Sequence, residues 1–128
     1  MITKKAKDIV EEYSEYIKAF NVFYDLIELL NRKPFPWSTI NIRITNVYKE
    51  KINIAKVVGI ITINSTKNEN KIYFKMGLNN PSVLTVEYSS FCLEKENFPI
   101  ESQIILKMMI LNQLDSELTD EDENENTE

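Results

Sequence analysis

Histidine is absent from this sequence of 128 residues, and cysteine occurs once, as Cys92. Without these side chains, the ordinary zinc sites, the catalytic dyads and triads that depend on histidine, and a histidine pH switch are all excluded. We therefore expect a protein that is not an enzyme and that needs no metal or other cofactor. Cys92 lies in an apolar run between Phe91 and Leu93, which is typical of a small buried hydrophobic residue.

Long apolar runs are missing as well. No stretch reaches the roughly 18 apolar residues of a membrane-spanning helix, and Met1–Val10 lacks the apolar core of a signal peptide. We expect one soluble, cytoplasmic domain, because a chain of this length buries about two thirds of its unfolded surface without disulfides or metals. Isoleucine, asparagine and lysine abound, which indicates an AT-rich genome such as that of a virus, and the location is then the host cytoplasm.

The first 31 residues carry apolar side chains at alternating intervals of four and three, which predicts a long helix from Lys4. Pro34 and Pro36 prevent its continuation. We expect this seam to pack against the domain's own sheet, although the same pattern suits a homodimer or a partner helix. The seam consists of Ile9, Tyr13, Tyr16, Phe20, Phe23, Ile27 and Leu30.

After Trp37 the apolar residues alternate with a period of two, which predicts strands. The second strand changes phase and contains Gly59, so we expect a bulge or bend there. Short polar turns between consecutive strands imply an antiparallel meander with helices on one face, an α+β fold. The four predicted strands are Ile40–Thr45, Ile52–Asn64, Lys71–Gly77 and Ser82–Leu93.

A last helix is predicted after Asn97 and Pro99, with apolar residues on more than one side, so we expect it to be largely buried. From Asp115 onward there are eight acidic residues and no basic one. That composition is typical of a disordered tail. The predicted organisation is an α+β domain over residues 1–114, followed over residues 115–128 by the end of the helix and the acidic tail.

Charge is distributed unevenly along the chain. The net charge is -5, but eight of the 20 acidic residues lie in the tail, so 12 acidic residues face 15 basic ones in the body, a net charge of +3. Between Arg32 and Met76 nine basic residues accompany only Glu50 and Glu69. The first three predicted strands are therefore strongly cationic.

Strand parity sends polar and cationic residues to the face away from the helices. Spaced cations with a few aromatic rings suit single-stranded nucleic acid, because phosphates pair with lysine and arginine while bases stack on rings. Lysines that protect sheet edges, and a tryptophan that fills the core, explain the same residues without a ligand. The predicted binding residues are Arg43, Lys71 and Lys75 for phosphates, Tyr73 and Trp37 for stacking, and Lys49, Lys51 and Lys67 as further cations.

This layout resembles small viral and bacterial single-stranded DNA-binding proteins, which join a basic, aromatic-bearing β surface to an acidic C-terminal tail. The resemblance rests on Arg43, Lys71, Tyr73 and Lys75 together with the tail from Asp120 to Glu128. It implies binding of single-stranded DNA, favoured over RNA, in replication or recombination, and a tail that modulates binding or recruits a protein partner. A flexible tail of 14 residues spans about 20 Å on average, enough to reach the sheet.

Two other classes of function fit the same sequence. The chain is alternatively a small viral interaction protein whose acidic tail mimics DNA and inhibits a host nucleic-acid enzyme. A magnesium-dependent enzyme is the less favoured class, because Glu50, Glu69 and Glu87 show no signature spacing of metal-binding carboxylates.

Overall fold

The computed structural model describes residues 4–64, 69–79 and 82–126. Five strands form one sheet in the order β1-β2-β3-β4-β5, and every neighbouring pair is antiparallel. The fold is an α+β meander, as the sequence predicted. The elements are α1 (Lys4–Leu30), β1 (Ile40–Lys51), β2 (Ile54–Asn64), β3 (Glu69–Gly77), β4 (Leu84–Tyr88), β5 (Phe91–Leu93) and α2 (Ile100–Asn126).

The prediction of four strands was wrong, because the predicted strand Ser82–Leu93 is a hairpin. Ser89 has a φ of 57°, in the left-handed region that reverses a chain tightly. The chain turns back at this serine and Leu93 pairs with Val86. Alternation alone did not show the reversal, since apolar residues flank the turn on both sides.

One face of the sheet carries the hydrophobic core, and both helices pack on it. α1 contacts β4 and β5, α2 contacts β1, and the two helices contact each other. At the end of α1, Asn31 Nδ2 donates a hydrogen bond of 2.7 Å to Ser102 Oγ of α2. The most deeply buried core residues are Leu26, Leu30, Val57, Ile61, Ile72, Met76, Leu84, Val86, Leu106 and Ile110.

A bulge between Ile44 and Asn46 of β1 interrupts the pairing with β2. Ile44 pairs with Gly59, and a Cβ at this glycine would collide with the Arg43 carbonyl oxygen and lie 2.7 Å from the Phe74 ring. The sequence located the irregularity near Gly59, and the structure puts the extra residue in the opposing strand. Glycine is required here because backbone and ring approach so closely.

The helices are less buried than predicted. In α1 the buried residues begin at Ala19, and the predicted seam is exposed at Ile9, Tyr13, Tyr16 and Phe20. In α2, Ile104 is 52% exposed, so the expectation of a largely buried helix was wrong. Each helix has a second apolar face that the sheet does not cover. Neither helix, over the described residues, is long and apolar enough to cross a membrane.

Two further expectations concern the second half of the chain. Cys92 is exposed rather than buried, because Leu93 points to the core and Cys92 therefore pairs with Glu87 on the opposite face. The sequence predicted the end of the last helix and an acidic tail over residues 115–128, and α2 continues through Asn126. Glutamate and leucine in this segment are good helix formers and permit the continuation.

Candidate nucleic-acid interface

The face of the sheet opposite the core is the candidate interface, here called the open face. Residues that pair across antiparallel strands share a face, so the register assigns its members. Within the described residues, neither helix lies over this face. Its cross-strand rows are Asn41–Thr62–Lys71, Arg43–Ile60–Tyr73–Glu87–Cys92, Asn46–Val58–Lys75–Thr85 and Tyr48–Lys56–Gly77.

Tyr73 lies at the centre of the open face. Its side chain is 53% exposed, and Lys71 and Lys75, two residues before and after it, are exposed on the same side. Arg43 is two strands away in the same row, across Ile60, a separation of about 10 Å at the usual strand spacing. The structure thus brings together four of the predicted binding residues.

Tyr48 is a second ring on this face, which the sequence reasoning missed. The Lys75 ammonium lies 5.9 Å from the centre of the Tyr48 ring, within the range of a cation–π contact. Hydrogen bonding by Tyr48, and then the charges of Tyr48, Glu50 and Glu87, raise the pKa of Lys75 above its usual value. These interactions therefore favour the charged form of Lys75.

Positive charge predominates on the open face. Four basic side chains, those of Arg43, Lys56, Lys71 and Lys75, share it with the carboxylate of Glu87, and Glu69 pairs with Asn64 at one end of the same register. Glu50 lies at one end, 3.8 Å from the Lys56 ammonium. This distribution leaves the β1–β3 part cationic and the β4 side less so.

The bulge in β1 explains why Tyr48 and Lys49 exchange the faces that simple alternation gives them. The extra residue reverses the parity of the rest of the strand, so Tyr48 pairs with Lys56 on the open face, while Lys49 pairs with Ala55 on the helix side. Lys51 pairs with Ile54 beside the hairpin turn, at the end of the face. The remaining predicted cation, residue 67, falls outside the described residues. The sequence signal for the bulge was the succession of two polar residues, Thr45 and Asn46, but such a pair also suits an ordinary exposed strand.

Trp37 lies away from Tyr73. Its side chain is 73% exposed, and its ring centre is 4.5 Å from that of Phe35. Both rings border a cavity with Met108 and Met109 of α2, on the helix side of the sheet. The structure therefore does not join Trp37 to the stacking surface around Tyr73.

The acidic end of the chain follows a part of α2 that lies at the β1 edge of the sheet. Gln113 of α2 borders a cavity with Trp37, Ile40, Asn41 and Ile42. Asn41 belongs to the open face, and Asp115 follows only two residues after Gln113. The acidic residues thus follow a part of α2 that packs at the β1 edge, on the helix side of the sheet.

The thiol of Cys92 is exposed on the open face next to acidic groups. Burial of the sulfur, and then the charges of Glu87 and Glu94, raise the pKa of Cys92. A raised pKa keeps the thiol protonated at neutral pH, which makes it a weak nucleophile. In the described part of the chain, no group of three or more cysteine, aspartate or glutamate residues is arranged to hold a metal ion.

In comparisons with known proteins, no protein-family model, curated protein or solved structure matches this chain.

Proposed function

We propose that the open face binds single-stranded nucleic acid, DNA in preference to RNA, without base specificity, and that the acidic C-terminal segment modulates this binding. The observation that carries the proposal is the exposed Tyr73 between Lys71 and Lys75, with Arg43 in the same cross-strand row. Stacking and ion pairing with phosphates are both indifferent to the identity of the base.

Different residues of the open face are suited to bases and to phosphates. A base stacked on Tyr73 contributes about 1 to 3 kcal/mol, and the neighbouring Ile60 gives the base a partly apolar floor. Arg43, Lys71 and Lys75 surround this position and pair with phosphates. Glu87 repels phosphates on the β4 side, so the strand is expected to follow β1 to β3.

The acidic segment competes with nucleic acid for the same cations. It follows Gln113, which borders the β1 edge, and its unpacked helical turns are expected to unwind when it reaches Arg43 or Lys71. A linked anionic segment acts at an effective concentration of about millimolar. Weak binding of this kind yields to a polyphosphate strand and makes the protein more selective and more sensitive to salt.

The experiment is fluorescence anisotropy of a labelled 20-nucleotide single strand, with duplex as competitor. The full chain is compared with a truncation that ends at Leu114, and circular dichroism checks that both are folded. Single-strand binding that tightens on truncation supports the proposal. Absence of binding by both forms refutes it and favours a protein partner.

A matched pair of lysine substitutions tests where the strand lies. Lys75→Glu reverses a charge on the open face, whereas Lys49→Glu makes the same change on the helix side. We expect the first to weaken binding strongly and the second to have a small effect. Equal losses would show that general electrostatics, rather than this face, governs the affinity.

A further inference from the structure

α1 carries an apolar face that the described chain leaves largely exposed, although Tyr16 meets Phe91 of β5 edge-on, with ring centres 5.8 Å apart. Seven large side chains on one side of the helix, here called the α1 stripe, are between 38% and 66% exposed. The first buried residue of the helix is Ala19, so the turns before it extend beyond the core. The α1 stripe consists of Ile9, Val10, Tyr13, Tyr16, Ile17, Phe20 and Tyr24.

Exposure of such an apolar surface to water is unfavourable for a monomer. A helix of fewer than about 15 residues without packing is marginally stable in water, and contiguous exposed apolar patches above a few hundred Å² are rare on monomeric proteins. Aromatic side chains bury about 150 to 250 Å² each, so the four rings of the stripe, which are about half exposed, offer roughly 400 Å², and the three aliphatic side chains add to this area. A standard protein interface buries about 800 Å² on each partner. The α1 stripe therefore supplies at least about half of the area of a standard interface.

We propose that a second copy of this chain covers the α1 stripe, through antiparallel pairing of the two α1 helices. Ile9, Tyr13, Tyr16 and Phe20 follow the spacing of four, three and four residues that defines a coiled-coil seam. A two-fold axis between Tyr13 and Tyr16 places Ile9 of one copy opposite Phe20 of the other. Each copy then uses the same surface, as closed dimers do.

The charges at the two ends of α1 favour the antiparallel direction. Lys5 and Lys7 lie at the start of α1, whereas Asp25 lies near its end. A parallel pair would bring the lysines of both copies together, while an antiparallel pair brings them beside the partner's acidic residue. Like charges that meet at an interface oppose binding, so the antiparallel arrangement is favoured. The dimer rests on α1 alone and does not depend on the proposed binding of nucleic acid.

Sedimentation equilibrium of the full chain over the micromolar range tests the proposal. The wild type is expected to dimerise, and the double variant Ile9→Asp, Tyr13→Asp to weaken dimerisation at least about 30-fold, as removal of interface anchors does. The matched control is Ile52→Asp, since Ile52 is 91% exposed in the β1–β2 hairpin. It should leave the dimer intact. The cooperative unfolding transition of each variant verifies that the core is folded, because none of the three positions belongs to it.

The direction of the helices has its own test. In a Cys92→Ser background, Ile9→Cys and Phe20→Cys proteins are mixed and oxidised. The antiparallel pair predicts mixed disulfides between the two variants, and a preference for Ile9→Cys self-crosslinks overturns that direction. A wild type that stays monomeric overturns the proposal, including a monomer that sediments with lipid vesicles. A dimer that the α1 substitutions do not weaken also overturns it, because the interface is then elsewhere.

Discussion

Substitution of Tyr73 by alanine separates stacking from charge on the open face. The side chain is half exposed and lies opposite the core, so its removal leaves the folded domain nearly intact. Loss of a cross-strand pair with Ile60 or Glu87 costs about 0.2 to 1 kcal/mol of stability. A change in nucleic-acid affinity can therefore be measured on folded protein.

The expected magnitude follows from the stacking energy. Loss of one stacked base, at about 1 to 3 kcal/mol, weakens binding about 5- to 140-fold. The four cations of the open face predict a log–log dependence of affinity on salt with a slope of about -3, at about -0.7 for each phosphate neutralised. Tyr73→Ala removes no charge, so this slope should not change. Tyr73→Phe keeps the ring and should bind like the wild type.

The assay is anisotropy of a labelled 20-nucleotide strand at several salt concentrations, with the three proteins side by side. Two results would refute the reasoning. If Tyr73→Ala binds as tightly as the wild type, the ring does not stack. If the slope becomes much shallower, Tyr73 instead holds the neighbouring lysines in place.

Two further predictions concern Gly59 and Cys92. Gly59→Ala forces a Cβ against the Arg43 carbonyl and the Phe74 ring, so we expect the free energy of unfolding in urea to fall by about 1 to 3 kcal/mol. The control is Gly77→Ala, which should be nearly neutral because the nearest atom to its new Cβ is 3.5 Å away. Equal losses of stability in the two variants would contradict the clash at Gly59. The raised pKa of Cys92 predicts slower alkylation by iodoacetamide at pH 8 in the folded than in the urea-unfolded chain, because less thiolate is present. Glu94→Gln removes one cause of the raised pKa and should speed alkylation of Cys92 in the folded chain. Equal alkylation rates in the folded and unfolded chains would contradict the raised pKa.

The sequence predicted the fold class and much of the open face because alternation has a simple period. Arg43 precedes the bulge, and β3 is regular throughout, so parity places Arg43, Lys71, Tyr73 and Lys75 without error. Parity fails for Lys49, because one extra residue in the strand changes every later side chain to the other face. It could not place Trp37 either, since no period governs the loop in which this residue lies.

The helices were harder to predict for a different physical reason. An apolar stripe shows that a helix packs against something, but not what that partner is. In α1 the predicted seam includes both residues that are buried in the core, such as Phe23, and residues that are exposed, such as Tyr13. The two sets follow one continuous heptad, so the spacing does not show where contact with the core ends.

The bulge of β1 connects the stability of the domain to the composition of the open face. Thr45 Oγ1 donates a hydrogen bond of 3.2 Å to the Val58 carbonyl, which holds the extra residue in place, while Gly59 next to it leaves room for the Phe74 ring in the core. The same extra residue turns Tyr48 toward Lys75. Core packing at Gly59 and the cation–π contact on the open face therefore both depend on the bulge of β1. A side chain at Gly59 that displaces the bulge must also disturb the contact between the Tyr48 ring and the Lys75 ammonium.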